Sequence, residues 1–284
     1  MSGPLIIIGA ARSGTKFLRD LLATDTALDC VPYDVNYVWR TGNESLSHDE
    51  LDPASLTPAR QRRIQRTLMS LAKLSSDSDP ARLVEKSVSN GLRIPFIEAV
   101  FPNARYLHIV RDGRPVIESS MRLWQAPPDT GSLKRKLRDL PVSQYGYLYW
   151  FGINYLKGRL KGRSGGEVWG PRYQGILDDL ETESLLTIVT RQWCKTVDLA
   201  ADTMKTIPEG RQLTVRYDDL MRDPITLERI AAFSGVSDTN RLVKTFHAKV
   251  QHGNDDKWRK VFGDKDLEVI KAEAGMTLKR FGFV

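Results

Sequence analysis

Cysteine is scarce in this 284-residue chain: Cys30 and Cys194 lie far apart with no C-x-x-C spacing. That excludes a disulfide framework and a thiolate zinc site as organising features and leaves two buried thiols of a reducing compartment. The four histidines, at 48, 108, 247 and 252, have no ligand spacing, so no metal is expected. His108 lies inside an apolar run and reads as a core residue. No apolar stretch reaches the roughly 18 residues that span a bilayer. The early "PLIII" is too short for a signal-peptide core and has no basic segment before it. These absences lead to the expectation of a soluble, cytoplasmic protein. There is no internal repeat.

What the chain does have is core-forming material and positive charge. Its hydrophobic content of 41% is ample for one large α/β domain or two small ones. A formal charge of +7 and a pI near 9.3 favour anionic partners without choosing among nucleotides, nucleic acids, acidic glycans and lipid headgroups. The basic residues are scattered and form no nucleic-acid motif, so no nucleic-acid partner is expected.

Strand-like and helix-like stretches alternate. Leu5 to Ile8 is a short β-branched run ending at a glycine, and "KFLRDLLATD" after it places apolar residues at Phe17, Leu18, Leu21 and Leu22. "RYLHIV", Arg105 to Val110, leads into a segment with a helix expected after Pro115. "RQLTVRY", Arg211 to Tyr217, precedes a turn and a helix that Gly235 would end. A basic helical run covers Arg60 to Leu74. The alternation predicts an α/β fold with a mainly parallel central sheet flanked by helices. The whole chain, 1–284, reads as a single domain, with 124–185 as a helical and loop insertion covering the substrate end of the sheet.

"LIIIGAARSGTKFLRDLL" has the order a phosphate cradle needs: strand, glycine turn, helix. Glycines let the backbone approach a phosphate, and the amides of the turn and helix start point at its oxygens. Gly9, Gly14 and the hydroxyls of Ser13 and Thr15 meet that demand, and Arg12 adds a charge-assisted contact. In a nucleotide-hydrolysing loop, G-x-x-x-x-G-K-[ST], lysine directly follows the second glycine. Here Thr15 follows Gly14 and Lys16 comes one place late. That counts against an ATPase or kinase, and an idle Gly turn is the other alternative.

The second unit makes the pattern specific. "GAARSGTKFL" resembles the 5′-phosphosulfate loop, P-[RK]-S-G-T-[TS], of sulfotransferases that use 3′-phosphoadenosine 5′-phosphosulfate (PAPS). "IVRDGRPVIESSMR" is similar to their 3′-phosphate segment, an arginine followed eight positions later by a serine, here Arg111 and Ser119. "VEKSVSNGLRIPFI" looks like the E-K-[ST]-P-x-N segment, which puts Lys86 at the lysine bridging the leaving oxygen and the sulfuryl group. "VRYDDLMRDP" resembles the Y-E-D-L segment, which gives Tyr217 an adenine contact; a buried core tyrosine is the alternative. "DDKWRKVF" is similar to the late loop over the nucleotide and puts Lys257, Trp258 and Arg259 near it, against the reading of an exposed basic loop. The resemblance implies PAPS as donor, no metal, and a donor site of Arg12, Ser13, Gly14, Thr15, Lys16, Phe17, Arg111, Ser119, Tyr217, Lys257, Trp258 and Arg259. It implies catalysis by Lys86 and Arg12.

A hydroxyl acceptor needs a general base. Cytosolic members of the family carry a histidine two places after the lysine, where this chain has Val88. Members acting on proteins and glycans use a carboxylate, and in "LDCVPYDVNYVW" Asp34 is the nearest one, with Tyr33 the alternative in register and Glu85 in reserve. Asp34 can equally be a turn residue after Pro32. Aromatic and basic residues from Trp124 to Tyr173 suit a glycan acceptor or form the core of a helical layer. A carbohydrate is placed first, with a small metabolite or lipid as alternative. A lipid-linked acceptor would add peripheral membrane contact. Readings from other classes are a P-loop kinase with a shifted lysine and a non-catalytic anion binder.

Overall fold

Leu5, Ile6, Ile7 and Ile8 are all fully buried, as a strand with both faces covered requires. In the computed structural model, which describes residues 3–75, 77–126, 168–250 and 256–283, they form the central strand β1 (Leu5–Ile8). Its neighbours are β3 (Leu83–Glu85) and β4 (Arg105–Val110), with β2 (Asp29–Cys30) and β5 (Gln212–Arg216) at the edges. The sheet order is β2-β3-β1-β4-β5, and every pairing is parallel. The register sets Leu5 beside both Val84 and Arg105, and Tyr106 beside Gln212.

Strand alternation divides the core in two. Ile6 and Ile8 face the side of Tyr106, Tyr37, Trp39, Ile64 and Phe96, covered by α2 (Asn36–Trp39), α3 (Pro58–Leu71) and α4 (Ile94–Val100). Leu5 and Ile7 face Leu18, Leu107 and Ile230, on the side of α1 (Thr15–Leu22) and the later α9 (Pro224–Ser234). Each such fully buried side chain contributes on the order of 1.5–3 kcal/mol. A third cluster joins α5 (Gly113–Gln125), α7 (Leu185–Met204) and α11 (Asp264–Arg280) through Val116, Trp193, Trp258 and Ile270. Among the described residues, the remaining α-helices are α6 (Ile176–Thr182), α8 (Tyr217–Arg222) and α10 (Thr239–Lys249).

Several boundaries differ from the sequence expectation for local reasons. α5 begins at Gly113 because the Asp112 side chain caps it; Pro115 sits in the first turn, where its missing N–H is tolerated. α3 starts two residues before Arg60, at Pro58 behind the Thr57 cap, and stops at Leu71. Residues after β5 form a short helix, α8, where a turn was expected, and Asp223 then caps α9. Gly235 ends α9 in the left-handed conformation, φ 79°. Cys194 is buried but Cys30 is only partly so, and burial pushes both thiols up to about 12. Most of the expected insertion, residues 127–167, lies outside the described residues. No described helix is long and apolar enough to cross a membrane.

Candidate active site

A residue singled out in the sequence follows the C-terminal end of each of the five strands: Gly9 and the loop after β1, Asp34 after β2, Lys86 after β3, Arg111 after β4 and Tyr217 after β5. Ligands of open parallel sheets bind at that end.

The β1–α1 loop is tightly built. A Cβ on Gly9 would meet the Ile109 carbonyl oxygen at 2.7 Å and the Ser13 hydroxyl at 2.8 Å, and Gly14 has φ 94° with the Tyr217 ring 2.9 Å from where its Cβ would be. Only glycine fits at these two positions. No side chain caps α1, so its first-turn amides face the loop. Ser13 and Thr15 are buried, and the Ser13 hydroxyl donates to the Ala10 carbonyl at 2.7 Å. Arg12 is held at φ 69°, an uncommon conformation for a residue with a side chain.

Arg12 Nε donates to Ser119 Oγ at 2.9 Å, and Arg111 donates from a guanidinium nitrogen to the Arg12 carbonyl at 3.0 Å. The Arg111 guanidinium lies 4.1 Å from the centre of the Tyr217 ring. Arg122, one turn beyond Ser119, places a nitrogen 3.4 Å from the same hydroxyl and pairs with Glu118. Burial lowers the Arg12 pKa from its usual value, and the nearby Arg122 and Arg111 charges lower it further. Two guanidinium groups thus meet one serine, and a third, from Arg111, is tied to the backbone of Arg12, which is a setting for a multivalent anion. Arg122 is absent from the sequence reading; its spacing of three from Ser119 on a helix was the available signal.

Lys86 is buried, and its Nζ lies 3.6 Å from Asp34 Oδ2. Burial pushes the ammonium below the usual lysine range, and Asp34 works against that shift. Asp34 accepts the Val88 N–H on Oδ2 at 2.8 Å and the Asn36 N–H on Oδ1 at 3.2 Å. The Val88 backbone is therefore bonded to Asp34. Glu85 is fully buried, and its two oxygens accept from Ser87 Oγ and Asn90 Nδ2, each at 2.6 Å; burial raises its pKa. Tyr33 is buried.

Lys16 is exposed and pairs with Asp20 one turn along α1 at 2.5 Å. Phe17 packs edge-on against Phe246 of α10. Trp258 is buried in the third core cluster, between the Arg114 and Arg259 guanidinium groups at 4.8 and 4.5 Å. Arg259 also pairs with Asp256, and Lys257 opens the same exposed turn.

Behind Asp34 lies a buried polar cluster that sequence reasoning missed. Asp49 accepts from Arg40, Asn36 and Ser89 side chains and from the Arg172 N–H. Arg93, fully buried, donates to Asn36 Oδ1 at 2.6 Å and to Asn90. Burial holds the Arg93 pKa down to about 10, and the neighbouring Arg93 and Arg40 charges, outweighing burial, hold Asp49 down to about 2.

The family model described as "Sulfotransferase family" matches residues 4–150, just over half of the chain. Among solved structures, the sulfotransferase domain from the curacin biosynthetic pathway shares 17% identity, with 97% of this chain and 98% of that one covered and a TM-score of 0.50, a likeness of fold. A Mycobacterium avium sulfotransferase shares 15% identity over 98% of this chain and 76% of its own, TM-score 0.49. A mouse sulfotransferase solved with PAP shares 13% identity over 100% and 89%, TM-score 0.47. No curated protein matches. The family match takes in the loop after β1, Asp34, Lys86, Arg111 and Ser119, and the chain belongs to the sulfotransferase family.

Proposed function

We propose that the chain moves a sulfuryl group from PAPS to a carbohydrate hydroxyl, with Asp34 as general base and Lys86 as the cation at the transferred group. The observation that carries this reading is the Lys86–Asp34 pair at 3.6 Å, with Asp34 oriented by the Val88 amide. When bound, PAPS supplies an activated sulfuryl group and leaves as adenosine 3′,5′-bisphosphate. The donor set suits such a group: the α1 amides and Arg12 would hold the 5′ end, and Arg111, Ser119 and Tyr217 the 3′-phosphate and adenine end. Trp258, in contact with the Arg114 and Arg259 guanidinium groups, would belong to the same donor end.

Sulfuryl transfer depends on positioning and fixed positive charge more than on covalent catalysis. Lys86, anchored by the end of β3, would supply a cation to the charge that builds on the leaving oxygen. Asp34 takes the acceptor proton; its two backbone donors fix the carboxylate, and Lys86 favours its ionised form. Glu85 is fully buried, whereas Asp34 keeps part of its side chain exposed to an acceptor, so Glu85 is given a structural role.

The carbohydrate reading is supported by Trp169, which is half-buried and lines a small pocket with Ala10, Ala11 and Ser120 beside the loop. A half-buried tryptophan beside the donor loop is a residue type that stacks on sugar rings. The test is transfer of labelled sulfate from PAPS to a panel of glycans, phenols and small alcohols. Label on glycans that falls by about 100-fold or more in Asp34→Asn supports the reading. Label confined to phenols would sink the carbohydrate assignment, and unchanged turnover in Asp34→Asn would remove the base.

A further inference from the structure

Asp34 is held by the backbone amides of two turns distant in sequence, Asn36 on Oδ1 and Val88 on Oδ2. A second carboxylate, Asp49, fully buried, holds the side chains of the same two turns. Asn36 Nδ2 donates to its Oδ1 at 3.1 Å, and Ser89 Oγ donates to its Oδ2 at 2.7 Å. The two carboxylates stand in tandem, one binding the amides and the other the side chains of a single junction. One further bond crosses that junction, from the Val35 N–H to Ser87 Oγ at 3.1 Å.

Charged groups flank this junction on both sides. Arg40 donates to Asp49 at 2.7 Å, Arg93 reaches Asn36 Oδ1, and the Arg172 N–H meets Asp49 Oδ2 at 3.0 Å. Lys86 and Glu85 lie on the Asp34 side. Asp49 also exchanges a second backbone bond with Arg172, from its own N–H to the Arg172 carbonyl at 2.7 Å, and neighbouring Glu50 accepts the Gln174 N–H at 2.8 Å. The segment carrying Trp169 is therefore fastened to the residue behind the base.

We propose that Asp49 is a positioning residue for sulfuryl transfer: by fixing the separation of the Asn36 and Val88 turns it sets the direction of the Asp34 carboxylate toward Lys86. The proposal rests on the reading of Asp34 as base. A displacement of about 1 Å in a positioned group costs on the order of 100-fold in rate, so a carboxylate that touches no substrate can still control turnover.

Asp49→Asn leaves Arg40 and Arg93 less compensated and can fail to fold, so the primary variant is Ser89→Ala, which removes one arm and leaves the charges in place. The expected result is a kcat about tenfold lower, with KM for PAPS and affinity for adenosine 3′,5′-bisphosphate unchanged. In an Asp34→Asn background, Ser89→Ala should cost nothing further in kcat, because the group it positions is gone. Wild-type kcat in Ser89→Ala, or a full additional loss in the double variant, overturns the positioning role while leaving the base in place. Full turnover in Asp34→Asn alone would overturn the base, and the positioning role with it.

Discussion

Arg12 Nε and Ser119 Oγ lie 2.9 Å apart although 107 positions separate them in sequence. The bond joins the loop after β1 to the second turn of α5, and Arg111 adds a third point by donating to the Arg12 carbonyl. An anion placed there meets guanidinium, hydroxyl and amide donors from two strand ends at once, which is how a small group can be held in one orientation.

Arg111 should carry much of the donor affinity. Arg111→Ala is expected to weaken adenosine 3′,5′-bisphosphate by about 2–3 kcal/mol, because a charge-assisted bond and the stack on Tyr217 are lost together. Adenosine 5′-phosphate, which has no 3′-phosphate, should bind the variant and the parent alike. Arg111→Lys should not restore binding, since an ammonium cannot stack on the ring and reach the Arg12 carbonyl together. Calorimetry with the two nucleotides checks each statement, and equal losses for both would move Arg111 away from the 3′-phosphate.

Arg12 combines a functional guanidinium with an unfavourable backbone at φ 69°. Arg12→Ala and Arg12→Gly should lose turnover equally, since both remove the side chain. They should differ in stability: glycine accepts the left-handed conformation, and alanine keeps its strain, a difference of about 1 kcal/mol in favour of Arg12→Gly. Denaturant midpoints of the two variants measure it. Equal midpoints would mean that the loop relaxes when the arginine is removed.

The legible parts of the molecule were those where one signal is local. β1, β4 and β5 are β-branched runs bounded by turns, and the glycine loop sits directly after the first. β2 and β3 span two and three residues and have no period to read; the sheet exists there because Val84 pairs with Leu5 and with Cys30. Lys86 and Asp34 were visible as single residues, but their meeting depends on the Val88 amide, 54 positions from Asp34. The Asp49 cluster was not visible, because "TGNESLSHDELDP" has the composition of a solvated loop, and contacts with Asn36, Arg40, Ser89 and Arg172 are what satisfy the buried charge. Lys16 is an exposed residue of α1 whose pairing with Asp20, four positions on, follows from helical spacing alone.

His108 makes stability depend on pH. It is buried within β4, and burial, with Arg280 adding, lowers its pKa to about 4. Between about 4 and the unfolded value near 6.5, the unfolded chain binds more protons, so stability rises with pH across this window and is lost as pH falls through it. The loss should approach roughly 3 kcal/mol. His108→Leu should flatten the stability profile between those limits, measured by denaturant titration at several pH values. An unchanged slope in the variant would assign the acid sensitivity to other groups.

Val88 offers a way to test what kind of base the site accepts. Its amide is bonded to Asp34, so its Cβ starts from the junction where the carboxylate lies, and its side chain is only partly buried. If Asp34 acts by taking a proton, a second base introduced at 88 should substitute for it. Asp34→Asn should reduce turnover by about 100-fold or more, and Val88→His added to it should recover part of that loss. The recovered activity should have a new acid limb near the histidine value of about 6.5, because the neutral imidazole is the active form. Donor affinity should be the same in all variants, since neither position touches Arg12, Arg111 or Ser119. Recovery without the new limb would show that the histidine restores packing and not proton transfer; no recovery while donor binding persists would mean that the acceptor proton is reached only from the position of Asp34.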